Sequence, residues 1–308
     1  MILTVTANPA IDKAYFVDRF EMGQVHRPLR IAASAGGKGL NVSRVATILG
    51  QTVTAMGFLG GSAGEFIRTE VEKMGITTAF TPVEGETRTC INIADSTGRS
   101  GELLEPGPEV SSTAEQAFFA EFAQRLENCR IVCVSGSLPA GLSSDFYRRI
   151  VALGREKDKP VIVDTSGKAM LEIIGEGPFM VKPNDEELAQ LLGYEAKSET
   201  DIQKALVLLK EKGVTVPFVT LGGDGAMALL DGRFYRFRGP KVTVKSAVGS
   251  GDSTVAGIAV GLCEGRDMVD AIRLGLACGT ANTQFDRTGY VSQELVAQYY
   301  SQITATVC

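Results

Sequence analysis

The run Ala247-Val248-Gly249-Ser250-Gly251-Asp252-Ser253-Thr254-Val255-Ala256-Gly257 sets two glycines and one carboxylate just ahead of an apolar stretch of helical character. Glycines at a helix start leave backbone N–H groups open, and the helix dipole favours an anion there. A carboxylate in the first turn either caps the helix or takes a proton from a bound hydroxyl. Spacing alone does not separate these two roles for Asp252. A phosphate cradle and a base in one turn are nonetheless most of what phosphoryl transfer needs: position the hydroxyl, accept its proton, neutralise the developing charge. The run is not a Walker A loop. The one Gly-Lys pair, Gly37-Lys38, is followed by Gly39, and no glycine stands five residues before Gly37. Nor is it a dinucleotide fingerprint, because Thr254 occupies the third glycine's place.

Four further segments carry residue types suited to the same chemistry. Ala35-Gly36-Gly37-Lys38-Gly39-Leu40-Asn41-Val42 joins glycines that admit a ligand to the backbone with a cation and an amide. Its plainer reading is a turn opening a helix, with Lys38 in solvent. Asn8-Pro9-Ala10-Ile11-Asp12 follows the first apolar run, where ligands collect in α/β sheets, and Asp12 suits sugar hydroxyls as well as an Asx turn. Lys182-Pro183-Asn184-Asp185-Glu186-Glu187 has the spacing of a capping box and equally suits nucleotide phosphates and Mg²⁺. Thr220-Leu221-Gly222-Gly223-Asp224-Gly225 is a glycine turn that serves either as a hairpin loop or as a backbone platform for phosphates.

These segments must be held by a scaffold, and the pattern around them predicts one. Ile2-Val5, Val53-Phe58, Ile131-Val134, Val161-Val163, Phe179-Val181 and Phe218-Leu221 read as nearly all-apolar strands. Helical periodicity covers residues 41–49, 65–74, 113–127, 144–157, 185–192 and 201–212, then 254–263, 268–285 and 293–303. Apolar strands alternating with helices predict a parallel sheet covered on both faces. Residues 12–34 and 86–105 instead alternate apolar and polar, as in Thr87-Arg88-Thr89-Cys90-Ile91-Asn92-Ile93, which predicts a small half-exposed sheet. No repeat or linker divides the 308 residues, so one domain over 1–308 with appended lid strands is expected.

Composition narrows the partners. The chain is 44% hydrophobic and 22% charged, with a formal net charge of −5 and no Lys/Arg run, which argues against nucleic acid as a partner. An anionic ligand must therefore meet local cations beside glycines. One histidine, His26, and no C-x-x-C pair leave no zinc site and little for a Ser-His-Asp scheme. Six cysteines in mostly apolar surroundings are expected as buried free thiols of a reducing cytoplasm. The start of the chain lacks a signal-peptide pattern, and no stretch nears the ~20 apolar residues that span a bilayer.

Taken in order, Asn8-Pro9-x-x-Asp12, Gly36-Gly37-Lys38-Gly39-x-Asn41-Val42, Ser135-Gly136-Ser137-Leu138-Pro139, Lys182-Pro183-Asn184-x-x-Glu187, Leu221-Gly222-x-x-Gly225 and Gly249-Ser250-Gly251-Asp252-Ser253 resemble the ribokinase-like (PfkB) carbohydrate kinases from residue 1 to about residue 300. Gly36-Gly37-Lys38-Gly39 resembles the ketohexose-phosphate branch, the 1-phosphofructokinases and tagatose-6-phosphate kinases. Gly85-Glu86-Thr87-Arg88-x-Cys90-Ile91, Leu104-Glu105-x-Gly107-Pro108-Glu109 and Ser250 within its loop lean toward the latter. Thr280 to Gly289 departs from that branch's pattern.

The resemblance implies a three-layer α/β/α fold with a mostly parallel central sheet and a small β-sheet lid. It implies Asp252 as base and the N–H groups of Gly249, Ser250 and Gly251 as an anion hole. Asp12, Gly36, Gly37, Asn41 and Ser137 would line the sugar site. Lys38 and Arg88 would meet the substrate phosphate, with Arg27 joining from the lid. Lys182, Asn184, Thr220, Gly222, Gly225 and Ser246 match the nucleotide side, and Glu187 the position linked to Mg²⁺. ATP, Mg²⁺, a monovalent cation such as K⁺ and a homodimer paired through the lid follow from the same source. The expected reaction phosphorylates tagatose 6-phosphate, with fructose 1-phosphate next and fructose 6-phosphate as a secondary substrate. A non-catalytic sugar-phosphate or nucleotide-binding regulator and a nucleoside kinase are the rivals. An intact Asp252 loop argues against the first, and Lys38 with Arg88 against the second.

Overall fold

The computed structural model describes residues 1–196 and 198–308. In chain order the strands are β1 (Ile2–Thr6), β2 (Ala10–Val17), β3 (Arg30–Gly36), β4 (Val53–Leu59), β5 (Thr77–Pro82), β6 (Arg88–Asp95), β7 (Ser100–Leu104), β8 (Ile131–Ser135), β9 (Val161–Asp164), β10 (Met180–Val181), β11 (Val216–Thr220), β12 (Ala226–Leu230), β13 (Arg233–Arg238) and β14 (Thr304–Val307). The helices are α1 (Lys38–Ile48), α2 (Gly61–Lys73), α3 (Ser112–Asn128), α4 (Phe146–Glu156), α5 (Gly167–Ile174), α6 (Asp185–Leu192), α7 (Glu199–Glu211), α8 (Ser250–Cys263), α9 (Met268–Asn282) and α10 (Gln293–Tyr300).

Ten strands form one sheet in the order β14-β13-β12-β11-β10-β9-β8-β1-β4-β5. The seven from β11 to β5 run parallel, and β12, β13 and β14 continue the sheet antiparallel. Successive residues of β1 face opposite sides, as a pleat requires: Ile2 joins one core and Leu3 and Val5 the other. The first core packs α1, α8 and α9 on the sheet, and the second packs Phe118, Phe122, Phe146 and Tyr147 of α3 and α4. The expected three layers are present.

A second sheet, β3-β2-β6-β7, stands apart and is built from the two alternating regions. β2 pairs β6 in parallel and the outer pairs are antiparallel. Its polar alternation left it half-exposed, as expected. β5, α5 and the antiparallel β12–β14 were not assigned from the sequence. Helix α9 stops at Asn282 rather than Phe285, because the N–H groups of Thr283, Gln284 and Phe285 donate to carbonyls three residues back instead of four. All six thiols are free, but Cys308 is exposed and Cys90 half-buried, so the expectation of buried thiols holds for the other four. Among the described residues no helix is long and apolar enough to cross a membrane.

Candidate active site

The parallel strands β1, β8, β9, β10 and β11 all deliver their carboxyl ends to one edge of the sheet, where the order turns around β1. That is the edge at which open α/β sheets hold ligands. The candidate residues gather there because each lies at a strand end or within six residues beyond it. Asn8 and Asp12 follow β1, Gly136 and Ser137 follow β8, Asp164 ends β9, Lys182 follows β10 and Thr220 ends β11.

Helix α8 enters this edge N-terminus first. Its N-cap is Gly249, at φ +81°, a left-handed conformation that glycine adopts without strain. A methyl group there would also meet Thr288 and the Gly289 amide at 2.7 and 2.8 Å. The Ser250 N–H donates to the Ala247 carbonyl at 3.2 Å, while the N–H groups of Gly251 and Asp252 take no backbone acceptor. Gly249 N–H likewise takes no backbone acceptor, so two members of the expected Gly249–Gly251 set are open and Asp252 N–H stands open beside them. Asn282 fixes this turn from behind. Its amide donates to the Val248 carbonyl at 2.9 Å, and its Oδ1 accepts from Ser253 Oγ at 3.1 Å and from Tyr290 N–H at 3.2 Å.

Asp252 is buried, with 6% of its surface exposed. Burial first, then the charge of Asp164, push its carboxyl up to about 6. The Asn41 amide, donating to Asp252 Oδ2 at 2.8 Å, pulls the other way, as do Lys38 and Lys182. A carboxylate poised near 6 is mostly ionised at neutral pH yet can hold a proton, which suits a general base. Asp164 is the partner that the sequence reading missed. It is buried at the end of β9, and its Oδ1 lies 3.6 Å from Lys38 Nζ and 3.4 Å from Lys182 Nζ. Lys182 Nζ in turn would lie 3.1 Å from a Cβ placed on Gly251. Two lysines and two carboxylates therefore stand at the N-terminus of α8. Only the position of Asp164 at an apolar strand's end, before Thr165-Ser166-Gly167, could have pointed to it.

The sugar-side candidates line the facing wall. Asp12 on β2 packs its carboxylate directly against Gly36 on β3, at a point where any Cβ would collide with it. Burial raises its carboxyl, while Arg44, Arg88 and the Gly37 N–H lower it. Arg88 Nη1 donates to the Glu105 carbonyl at 3.1 Å and Nη2 to the Asn8 carbonyl at 2.9 Å, leaving Nε without an acceptor. Arg88 thus sits at the edge of the small sheet, whereas Lys38 leans to Asp164. Burial opposes Lys38's charge, but Asp164 first, then Asp252 and Glu187, hold its ammonium above the ordinary lysine value. Ser137 is exposed beside Gly136, near the start of Lys38's side chain. Arg27 lies exposed in the connection between β2 and β3, apart from these groups.

On the remaining side, Asn184 and Glu187 form the capping box of α6: Asn184 Oδ1 accepts from Glu187 N–H at 2.8 Å, and Glu187 Oε2 from Asn184 N–H at 3.0 Å. The second Glu187 oxygen is left for another partner. Thr220 N–H donates to the Pro183 carbonyl at 3.1 Å, joining β11 to this cap. Gly222 opens a single 3₁₀ turn beyond β11 and Gly225 closes it, and Ser246 Oγ accepts from Val248 N–H at 3.3 Å just before α8. Among the described residues no three acidic, histidine or cysteine side chains cluster as a metal cage.

Comparison with known proteins agrees with this geometry. Over 306 residues, 98% of either chain, the sequence is 37% identical to a tagatose-6-phosphate kinase from Staphylococcus epidermidis (strain ATCC 12228 / FDA PCI 1200). The fold superposes on the crystal structure of a possible 1-phosphofructokinase from Thermotoga maritima with a TM-score of 0.89 and 28% identity, covering 100% of this chain and 99% of the other. It also superposes on phosphofructokinase-2 from Escherichia coli in complex with potassium, with a TM-score of 0.90 and 25% identity over 97% and 98% of the chains. Residues 5–294 match the family described as pfkB family carbohydrate kinase, and the chain belongs to that family.

Proposed function

We propose that this protein transfers the γ-phosphoryl group of ATP to a ketohexose monophosphate, with tagatose 6-phosphate as the leading acceptor and its C1 hydroxyl as the site of attack. The observation that carries this reading is the placement of Asp252. It sits between the open amides and lysines at the head of α8 and the polar wall made by Asp12 and Asn41. Asp12 and Asn41 orient the sugar, and Asp252 takes the hydroxyl proton. The open N–H groups of Gly249, Gly251 and Asp252, with Lys38 and Lys182, neutralise the phosphoryl group in flight. Arg88 meets the phosphate the sugar already carries, and Ser137 lines the sugar site.

The nucleotide reading places ATP across Lys182, Asn184, Thr220, Gly222, Gly225 and Ser246. Mg²⁺ keeps several waters and is held mostly by substrate phosphates with one or two carboxylates. The absence of a three-ligand cage among the described residues, with one Glu187 oxygen spare, fits that mode. When bound, the ion neutralises charge on the β- and γ-phosphate oxygens. A monovalent cation such as K⁺ belongs to the same reading, and the free thiols suit a cytoplasmic setting.

The Staphylococcus epidermidis relative supports tagatose 6-phosphate, and fructose 1-phosphate is the alternative supported by the Thermotoga neighbour. Side-by-side kcat/KM values for tagatose 6-phosphate, fructose 1-phosphate and fructose 6-phosphate are expected to fall in that order. A preference for fructose 1-phosphate reverses the assignment, and a preference for unphosphorylated sugars overturns the branch.

The same reading makes the protein a homodimer through the small sheet. Val25, Leu29, Ile31, Leu103 and Leu104 are exposed there, an apolar set that a second copy would cover. Arg27 would then reach the partner's sugar site. Sedimentation should give a dimer for the native chain and a monomer for Ile31→Glu. A native monomer at micromolar concentration ends the proposal.

A further inference from the structure

Helix α1 is buried all round from Gly39 to Ala46, and one charged residue, Arg44, lies inside that stretch. It is 3% exposed. A buried guanidinium is costly unless its donors are taken up, and here both terminal nitrogens are bonded while Nε is left without an acceptor. Arg44 Nη1 donates to Asn41 Oδ1 at 2.9 Å and to the Thr288 carbonyl at 2.9 Å, and Nη2 donates to the Ala35 carbonyl at 2.6 Å. Ala35 lies on β3, and Thr288 lies in the loop that packs on Gly249. Burial, then the charge of Arg287, lower its pKa only to about 10, so it stays a cation at neutral pH.

The contact with Asn41 has a consequence for the base. A carboxamide has one accepting end and one donating end, and nothing in its shape prefers either orientation. Arginine only donates, so it selects Oδ1 and turns Nδ2 toward Asp252. Asn41 Nδ2 then donates to Asp252 Oδ2 at 2.8 Å. Reversed, the amide would set an oxygen against a carboxylate oxygen.

We propose that Arg44 is a positioning residue for phosphoryl transfer: it holds Asn41 in the one orientation that donates to Asp252, and ties that pair to the end of β3 and to the loop behind Gly249. The proposal rests on Asp252 being the base. A cleft of about 320 Å³, lined by Arg44, Thr47, Ile48, Met74, Arg287 and Tyr290, backs the guanidinium. A small cation can therefore reach the space that a truncated side chain would leave.

The test is a cycle of Asn41→Ala and Arg44→Ala in the full chain, assayed with ATP and the preferred sugar phosphate. Arg44→Ala is expected to lower kcat by about ten- to a hundredfold, the range for one hydrogen bond to a charged group, with KM for ATP unchanged. In the Asn41→Ala background the same change should cost little more, because its target is gone. Guanidinium at millimolar concentration should restore part of the kcat of Arg44→Ala and none of that of the double variant. Equal losses in both backgrounds overturn the proposal, as does native kcat in folded Arg44→Ala. Should Arg44→Ala not fold, Arg44→Lys keeps the charge without the three-way fork, and the same cycle with Asn41→Ala decides on the same criterion. Failure of the base itself is read separately from Asp252→Asn, which leaves Arg44 in place.

Discussion

Replacing Asp252 by asparagine is expected to lower kcat by about 10²- to 10⁴-fold, the usual cost of losing a general base. The two side chains have the same shape, and an asparagine oxygen can still accept from Asn41 Nδ2. Sugar and nucleotide KM values should therefore change little, which separates loss of the base from loss of the site. In the native enzyme kcat should rise with pH through an acid limb near 6, as the buried carboxyl ionises. Stability should run the opposite way. The folded-state pKa lies above the ordinary 3.8, so between these values the native state holds the proton more tightly than the unfolded chain. Stability is thereby lost as pH rises through that window. The asparagine variant has no such loss, so its thermal midpoint should exceed the native one at pH 7 by more than at pH 4. A variant that keeps near-native kcat reduces Asp252 to a helix cap. A stability gap that does not change with pH removes the electrostatic account of its environment.

Much of this arrangement was legible because backbone requirements write themselves into residue type. Gly249 is left-handed, Gly36 leaves room for Asp12, and Asn184 with Glu187 closes a capping box, so each motif carried a geometric reason. The parallel sheet was legible for a similar reason: strands buried on both faces are apolar throughout. What escaped was whatever depends on contacts between distant segments. Asp164 reads as the polar end of a strand until the fold sets two lysines on it. Arg44 reads as one more helical arginine until α1 is buried on every side. Asn282 lies 34 residues from the Val248 carbonyl it secures. Strand β12 is a five-residue apolar run with no β-branched residue to mark it as a strand, and β14 pairs with β13 from beyond α8, α9 and α10.

Lys38 and Arg88 sharpen this contrast, because sequence resemblance assigns both to the substrate's own phosphate, yet the two side chains are anchored on different partners. Lys38 leans on Asp164 and stands in the field of Asp252 and Glu187, at the head of α8. Arg88 is anchored on the Asn8 and Glu105 carbonyls beside Asp12, at the edge of the small sheet. A cation among the groups that surround the transferring phosphoryl acts chiefly in the transition state, where charge is spreading over the phosphoryl oxygens. Lys38→Ala is accordingly expected to lower kcat by about 10²- to 10³-fold, the range for removing one such preorganised donor. It should also move the acid limb upward, since Lys38 is one of the charges holding the Asp252 carboxyl down. A cation on a phosphate that does not react is felt equally before and during the reaction. Arg88→Ala should therefore raise KM for the sugar phosphate by about ten- to a hundredfold, leaving kcat and KM for ATP near native. Parallel rises in sugar-phosphate KM for both variants, with kcat kept, would return Lys38 to the substrate phosphate beside Arg88. A fall in kcat confined to Lys38→Ala places it on the group in flight, where the tether to Asp164 keeps the ammonium aimed and Lys182 meets the same Oδ1 as a second cation.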